Sequence, residues 1–373
     1  MKKKMKLIIL LISMYIRIHN IYIHRFKGGS RFGMIPKPKT NILEQMQNNT
    51  TQPKKDFSPL DWHTAFEHQV FINNNKLPIY WHGNTGPNVL CLHGAGHSGL
   101  SFAPLALLNP SFRVISYDCR GHGYNELSNG DDLSQQTLIT DAIDVLTYIQ
   151  QSFPEENIVI IGHSMGGSIA TKTCAEIFSN KTKYQKLFDL IQGLIVIDVV
   201  EGTAIDSLPF MENIVNSRPQ VLNSIEKGIQ YMIKSGQIKN VDSARISVPS
   251  LVKDNGNGTY SWKTNLLASE KYWKEWFEGL TKAFLGLKLP KMLMLAGVER
   301  MDKELTIAQM QGKYMLSVVR HVGHVIHEDN PEKAREQIQN FIDTFHISGK
   351  LEDMKPIVGV YGENAPMKIK FKK

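Results

Sequence analysis

The stretch Ile158-Val-Ile-Ile-Gly-His-Ser-Met-Gly-Gly167 decides the fold of this chain. Its first four residues are apolar and β-branched, which predicts a buried strand. A serine with glycine two positions before and two positions after it, here Ser164 between Gly162 and Gly166, is typical of a sharp strand-to-helix turn that exposes the hydroxyl. A Cβ at either glycine would crowd that turn. The stretch therefore predicts a nucleophile, Ser164, whose chemistry is attack on a carbonyl carbon.

Strand and helix patterns alternate on both sides of this turn, which predicts a mostly parallel eight-stranded sheet with helices on both faces. We predict the strands at residues 69–72, 78–81, 89–93, 113–118, 158–162, 194–198, 292–296 and 314–318. Helices are expected at 133–153 and 168–178. A last helix at 331–345 should begin after Asn330, since Asn is a favoured N-cap and proline a favoured first helical residue.

The pattern divides the chain into five segments. Residues 1–55 form a basic extension that we expect to be disordered, and residues 350–373 form a basic tail. The core should consist of residues 56–202 and 291–349. Residues 203–290 are mostly helical in pattern and lie between two sheet strands, as a cap insertion would. Their aromatic residues favour a core of the cap's own, although some could line a substrate groove.

The charge distribution argues against a nucleic-acid partner. The net charge is +8, yet residues 1–55 alone carry +11 and residues 350–373 carry +3, which leaves −6 on the rest. The excess of positive charge therefore belongs to solvated tails. The apolar run at 7–16 is shorter than the roughly 20 residues that a membrane-spanning helix needs. We do not expect membrane association, although this run leaves a surface anchor open.

The cysteines predict neither a metal site nor a disulfide framework. Cys91, Cys119 and Cys174 are odd in number and far apart along the chain. Buried free thiols in a reducing compartment are the expected arrangement. We predict that the protein needs no metal and no organic cofactor.

A serine nucleophile needs a base, and His324 is the best candidate. It follows the last predicted strand, on a loop at the carboxyl edge of the sheet, where the Ser164 turn also lies. His321 and His327 are its neighbours. His327 precedes two acidic residues and is expected to support the loop.

The acid that orients the base has two candidates. Asp198 ends the sixth predicted strand, and Asp302 follows the seventh. Both loops open at the correct edge of the sheet. The residues by themselves leave the choice open and lean towards Asp302, because the acid commonly follows the seventh strand in enzymes with this turn.

Backbone amides should stabilise the oxyanion that forms during the attack. One is the amide of Met165, directly after the nucleophile, and the other comes from the loop after the third strand. That loop reads Leu92-His-Gly-Ala-Gly-His-Ser98, and we predict Ala95 as the second donor.

The serine turn alone indicates an α/β-hydrolase fold, but other segments resemble the protein phosphatase methylesterase family. The resemblance covers roughly residues 56–345, including the cap, which generic esterases do not share. Its segments are Asp56-Phe-Ser-Pro59, Val196-Ile-Asp-Val-Val-Glu-Gly-Thr-Ala204, Lys234-Ser-Gly-Gln-Ile-Lys-Asn240, Ser243-Ala-Arg-Ile-Ser247, Glu270-Lys-Tyr-Trp-Lys-Glu-Trp-Phe277 and Ala296-Gly-Val-Glu-Arg-Met-Asp-Lys-Glu-Leu-Thr306 with Gln309-Met-Gln-Gly-Lys313.

The resemblance implies an enzyme that removes the methyl ester from the C-terminal leucine of the protein phosphatase 2A catalytic subunit. It implies Ser164 as nucleophile, His324 as base and Asp198 as acid, with a cytoplasmic or nuclear location. Two alternatives stay open at this point. One is a small-molecule carboxylesterase of the same fold, and the other is an inhibitor or scaffold that binds the phosphatase.

Overall fold

The computed structural model describes residues 55–74 and 76–350. Apart from Lys55 and Lys350, the predicted basic extension, with its apolar run at 7–16, and the predicted basic tail lie outside these residues.

An eight-stranded sheet forms the centre of the described part, and the predicted fold class is confirmed. The sheet strands are β1 (His68–Ile72), β2 (Leu77–His82), β3 (Asn88–Leu92), β4 (Arg113–Tyr117), β5 (Ile158–His163), β6 (Ile191–Ile197), β9 (Lys291–Leu295) and β10 (Met315–Val318). Their order is β1-β2-β4-β3-β5-β6-β9-β10. Strand β2 pairs antiparallel with β1 and β4, and all other neighbours are parallel. The carboxyl ends of β3, β5, β6 and β9 therefore meet at one edge.

The central strands are buried on both faces, so their sequences are continuous apolar runs. Alternate residues of β5 divide between two core clusters: Ile158 and Ile160 face one, and Val159 and Ile161 the other. The alternation arises because successive side chains of a β-strand point to opposite faces of the sheet. Helices must cover both faces to bury that much apolar surface.

The helices that cover the sheet agree with the predicted alternation. They are α1 (Ala103–Ala106), α2 (Gln135–Ser152), α3 (Met165–Ser179), α4 (Gln185–Leu190), α11 (Ile326–Asp329) and α12 (Pro331–Thr344). Helix α3 begins three residues earlier than predicted, directly after Ser164. The side chain of Asn330 accepts a hydrogen bond from the amide of Lys333 at 3.0 Å, as an N-cap does.

Residues 198–290 connect β6 to β9 and contain most of the remaining elements. These are α5 (Glu201–Asn216), α6 (Ile225–Lys234), α7 (Val241–Ser247), α8 (Glu270–Phe277) and α9 (Leu280–Gly286). A short hairpin of β7 (Val252–Asp254) and β8 (Tyr260–Trp262) was not predicted. After β9, α10 (Lys303–Met310) leads to β10.

The aromatic residues of α8 do not form a separate core. Trp273, Trp276 and Phe277 are buried in the cluster that also contains the inner faces of α2 and α3. The indole nitrogen of Trp276 donates to the carbonyl of Leu133 at 2.7 Å, and Lys172 on α3 donates to the carbonyl of Trp276 at 2.8 Å. For these three residues the expected core within the insertion is therefore wrong, because the apolar face of α8 packs against α2 and α3. Trp262, by contrast, packs against a cluster made mostly of insertion residues, as expected.

No helix in residues 55–350 combines the length and apolar character that crossing a membrane requires.

Candidate active site

Ser164 lies at the sharp turn between β5 and α3. Its backbone has φ 53° and ψ −122°, a region that non-glycine residues rarely adopt and that costs energy to maintain. A Cβ at Gly162 would lie 2.2 Å from the carbonyl oxygen of Gly166, and a Cβ at Gly166 would lie 2.3 Å from that of Leu92. Only glycine fits at these two positions, as the motif predicted. The turn holds Ser164 partly exposed at the carboxyl edge of the sheet.

Asp198 and His324 are hydrogen-bonded to each other at the same edge. The Nδ1 atom of His324 lies 2.8 Å from Oδ2 of Asp198. The Asp198 side chain is fully buried, whereas that of His324 is 45% exposed. Because a carboxylate accepts, Nδ1 carries the proton, and Nε2 is the ring nitrogen that remains to accept one. This tautomer is the one that a general base for a serine needs.

Two further donors hold the Asp198 carboxylate. The amide of Ala296 donates to Oδ1 at 2.9 Å, and Nη1 of Arg300 donates to Oδ2. Asp198 itself has φ 51°, and its amide bonds the carbonyl of Met294 at 2.8 Å. Strand β9 thus holds the backbone of Asp198, and the loop that follows β9 holds its carboxylate. Sequence reasoning did not find Arg300, although it lies in the segment Ala296–Thr306 that carries part of the family resemblance.

Asp302, the alternative acid, lies at the start of α10 and has a structural role there. Its Oδ1 accepts the amide of Leu305 at 2.8 Å, so it is the N-cap of α10. Its Oδ2 lies 3.3 Å from the hydroxyl of Thr281. The described contacts bring Asp198, and not Asp302, to His324.

Two buried histidines support the loop that carries His324. Nε2 of His163 lies 2.9 Å from the carbonyl oxygen of His324, and burial keeps the pKa of His163 well below its usual value. His163 is therefore a neutral donor to that carbonyl. His327 is fully buried, stacks on Phe102 with ring centroids 4.3 Å apart, and has its Nε2 3.3 Å from the hydroxyl of Ser101. His321, the other neighbour, is exposed. Sequence reasoning missed His163, which lies inside the serine motif.

The two predicted oxyanion donors belong to residues next to the serine turn. Met165 is the first residue of α3, where amides have no partner within the helix and the helix dipole favours negative charge. Ala95 follows Gly94, where a Cβ would lie 3.2 Å from Cβ of Ser164. Within residues 55–350, neither amide donates a hydrogen bond to another group. Both amides are thus available to a ligand.

His122 fixes the loop that carries Ala95. Its Nε2 accepts the amide of Gly96 at 2.9 Å, and its Nδ1 bonds the carbonyl of Arg120 at 2.8 Å. Burial lowers the pKa of His122 to about 4, so the ring is neutral and keeps the lone pair that Gly96 needs. Sequence reasoning assigned no role to His122.

The described residues contain no group of three or more His, Cys, Asp or Glu side chains that could hold a metal ion. Cys91, Cys119 and Cys174 are buried, as predicted.

The fold and this site define a class of protein, the α/β hydrolases. The model of the alpha/beta hydrolase family matches residues 89–337. Among solved structures, E-2-(acetamidomethylene)succinate hydrolase aligns with a TM-score of 0.61 at 21% identity, over 74% of this chain and 98% of its own. An esterase of M. tuberculosis aligns with a TM-score of 0.56 at 18% identity, over 74% and 92% of the two chains. At these identities the similarity shows the fold alone.

Relatives with higher sequence identity show which family of α/β hydrolases the chain belongs to. A probable protein phosphatase methylesterase 1 of Caenorhabditis elegans is 41% identical over 302 residues, which is 79% of each chain. Protein phosphatase methylesterase 1 of Homo sapiens is 36% identical over 340 residues, 78% of this chain and 86% of its own. The chain belongs to the protein phosphatase methylesterase 1 family and is a carboxylic ester hydrolase.

Proposed function

We propose that this protein hydrolyses the methyl ester on the C-terminal leucine of the protein phosphatase 2A catalytic subunit, with Ser164, His324 and Asp198 as catalytic residues. The observation that carries the proposal is the hydrogen bond from His324 to the buried Asp198, at the sheet edge where the Ser164 turn lies. Family membership supports a phosphatase as substrate. Cys91 and Cys119 are buried free thiols, which is compatible with a cytoplasmic or nuclear location, which we also propose.

The reaction begins when Nε2 of His324 takes the proton of the Ser164 hydroxyl as the oxygen attacks the ester carbonyl. The resulting imidazolium is stabilised by Asp198, which holds the ring through Nδ1. Methanol leaves with the proton from His324, and the leucyl carbonyl stays bound to Ser164 as an acyl-enzyme. Water then attacks the acyl group, with His324 again as the base, and releases the free carboxylate.

The tetrahedral intermediates carry a negative oxygen that needs donors. The amides of Met165 and Ala95 are the proposed pair, and a helix N-terminus supplies the first. Loss of one such donor typically lowers kcat by about 10²–10³. Neither step requires a metal ion.

Methanol release from intact carboxymethylated phosphatase 2A tests the proposal. The full chain and its Ser164→Ala variant are compared, with Ser179→Ala as a matched control, because Ser179 is an exposed serine at the far end of the same helix. We expect release by the full chain and by Ser179→Ala, and none by Ser164→Ala.

Other outcomes select between the alternatives. If the phosphatase stays methylated while a fluorophosphonate probe labels Ser164 and short aryl esters are cleaved, the protein is a small-molecule carboxylesterase. If Ser164→Ala still lowers phosphatase activity as the unmodified chain does, the effect comes from binding, and a scaffold or inhibitor is the better description.

A further inference from the structure

Within the part of the chain that the structure describes, Arg218 differs from the other shielded arginines because no carboxylate pairs with it. Arg113, Arg120 and Arg245 have side chains that are 6–15% exposed, and each lies within 4.0 Å of a carboxylate. Among residues 55–74 and 76–350, no carboxylate lies that close to Arg218. Burial lowers its pKa, and its Nε is buried without a hydrogen-bond partner. An isolated cation that has lost part of its hydration is costly unless an anion binds to it.

The contacts of Arg218 hold its guanidinium in a defined orientation. Nη2 donates to the side-chain oxygen of Gln237 at 3.0 Å, and the guanidinium carbon lies 5.4 Å from the ring centroid of Trp262. Both partners belong to the insertion between β6 and β9. They fix the side chain, but neither carries a negative charge that could compensate its own.

The guanidinium faces the loop of the proposed oxyanion hole. A Cβ built on Gly96 would lie 3.5 Å from both Nη atoms of Arg218. The positive charge of Arg218 also contributes to the lowered pKa of His122, which accepts the Gly96 amide. Standard bond lengths then place the guanidinium within about 10 Å of the Ala95 nitrogen. An extended peptide covers that distance in about three residues.

We propose that Arg218 binds an acidic side chain of the peptide substrate, one to three residues before the esterified residue. This inference rests on the proposed function. The ester itself is uncharged, so in the substrate the counter-ion must come from another residue of the peptide. A carboxylate suits the planar guanidinium, which can bond it through two nitrogens at once. Arg218 is therefore a specificity residue that selects the tail to be demethylated.

Competition between peptides and a small chromogenic ester tests this. The peptides are acetylated tetrapeptides that end in leucine methyl ester. In each pair, one peptide has Asp at one of the three preceding positions and the other has the neutral Asn at the same position. The two remaining positions are Ala. Their inhibition constants are measured against p-nitrophenyl acetate for the full chain, for Arg218→Gln and for Arg335→Gln. Arg335 lies on α12, is exposed, and is the control for loss of a positive charge.

For the full chain and Arg335→Gln, we expect the Asp peptide to bind about 10- to 100-fold more tightly than its Asn match at one position, as a charge-assisted hydrogen bond provides. In Arg218→Gln this ratio should fall to about one. Arg218→Gln should also unfold at an unchanged or higher temperature, since an uncompensated cation is removed, whereas a structural role would lower it.

Equal binding of Asp and Asn peptides at all three positions, or no inhibition by any of them, would overturn the proposal. So would tighter binding of free-acid peptides regardless of Asp, because Arg218 would then hold the reaction product. Methanol release from carboxymethylated phosphatase 2A by the same preparation separates these outcomes from failure of the proposed function.

Discussion

Replacing either candidate acid by asparagine separates their roles. In Asp198→Asn the side chain must still meet three donors: the Ala296 amide, the Arg300 guanidinium and Nδ1 of His324. An asparagine offers one acceptor oxygen and one NH₂ donor. If its oxygen stays on Ala296, the NH₂ group faces the other two donors. His324 must then carry its proton on Nε2, where it cannot accept one from Ser164.

The expected magnitude follows from this tautomer. The same exchange in a Ser-His-Asp enzyme lowers kcat by about 10⁴. At about 1.4 kcal/mol for each factor of ten, the activation barrier rises by about 5 kcal/mol. In the matched variant Asp302→Asn, the new side chain still caps α10, because asparagine and aspartate are similar N-caps. That variant should keep kcat within about two-fold and stability within about 0.5 kcal/mol.

The assay is kcat for methanol release, with urea unfolding of each variant to confirm that it folds. A larger loss of kcat in Asp302→Asn than in Asp198→Asn would refute the reasoning. So would an Asp198→Asn variant that retains a tenth or more of the wild-type kcat while folding normally.

Three further predictions concern the serine turn and the loop beside it. Gly166→Ala should lower the unfolding free energy by about 3 kcal/mol, because the new Cβ would clash with the carbonyl oxygen of Leu92. The control variant Gly202→Ala has open space around the new Cβ and should lose no stability. Equal urea midpoints for the two variants would contradict this prediction. Ser164→Gly should be inactive yet about 1 kcal/mol more stable than Ser164→Ala, since glycine adopts the positive φ without strain; chemical denaturation checks the order. Since the pKa of His122 is about 4 in the folded protein and 6.5 when unperturbed, the unfolded chain binds its proton more readily between these values, and stability falls as pH drops from 6.5 to 4. Urea unfolding of the wild type and of His122→Gln measures this effect. Between pH 6.5 and 4 the unfolding free energy of the wild type should fall by up to ~3 kcal/mol more than that of the variant. Parallel pH profiles of the two proteins would contradict the prediction.

The residues near Ser164 determined the local structure by themselves. An apolar β-branched run followed by small residues permits little other than a buried strand that turns sharply into a helix. The clash distances at Gly162 and Gly166 show why the motif has no alternative there. Short apolar runs likewise predicted all eight strands of the sheet, most clearly the central ones, which are buried on both faces.

Tertiary structure decided which distant groups meet. From the residues alone the choice between Asp198 and Asp302 stayed open and leaned towards Asp302, and only the resemblance to a family pointed to Asp198. Its contact with His324 joins positions 126 residues apart, and it depends on how β6, β9 and the His324 loop pack together. The hydrogen bonds of Arg300 and His163, and the absence of a carboxylate beside Arg218 within the described chain, depend on the same long-range packing. The spacing of residues in the sequence determines contacts between neighbours in one helix or strand. Contacts between loops depend on how the strands and helices that the loops connect pack together.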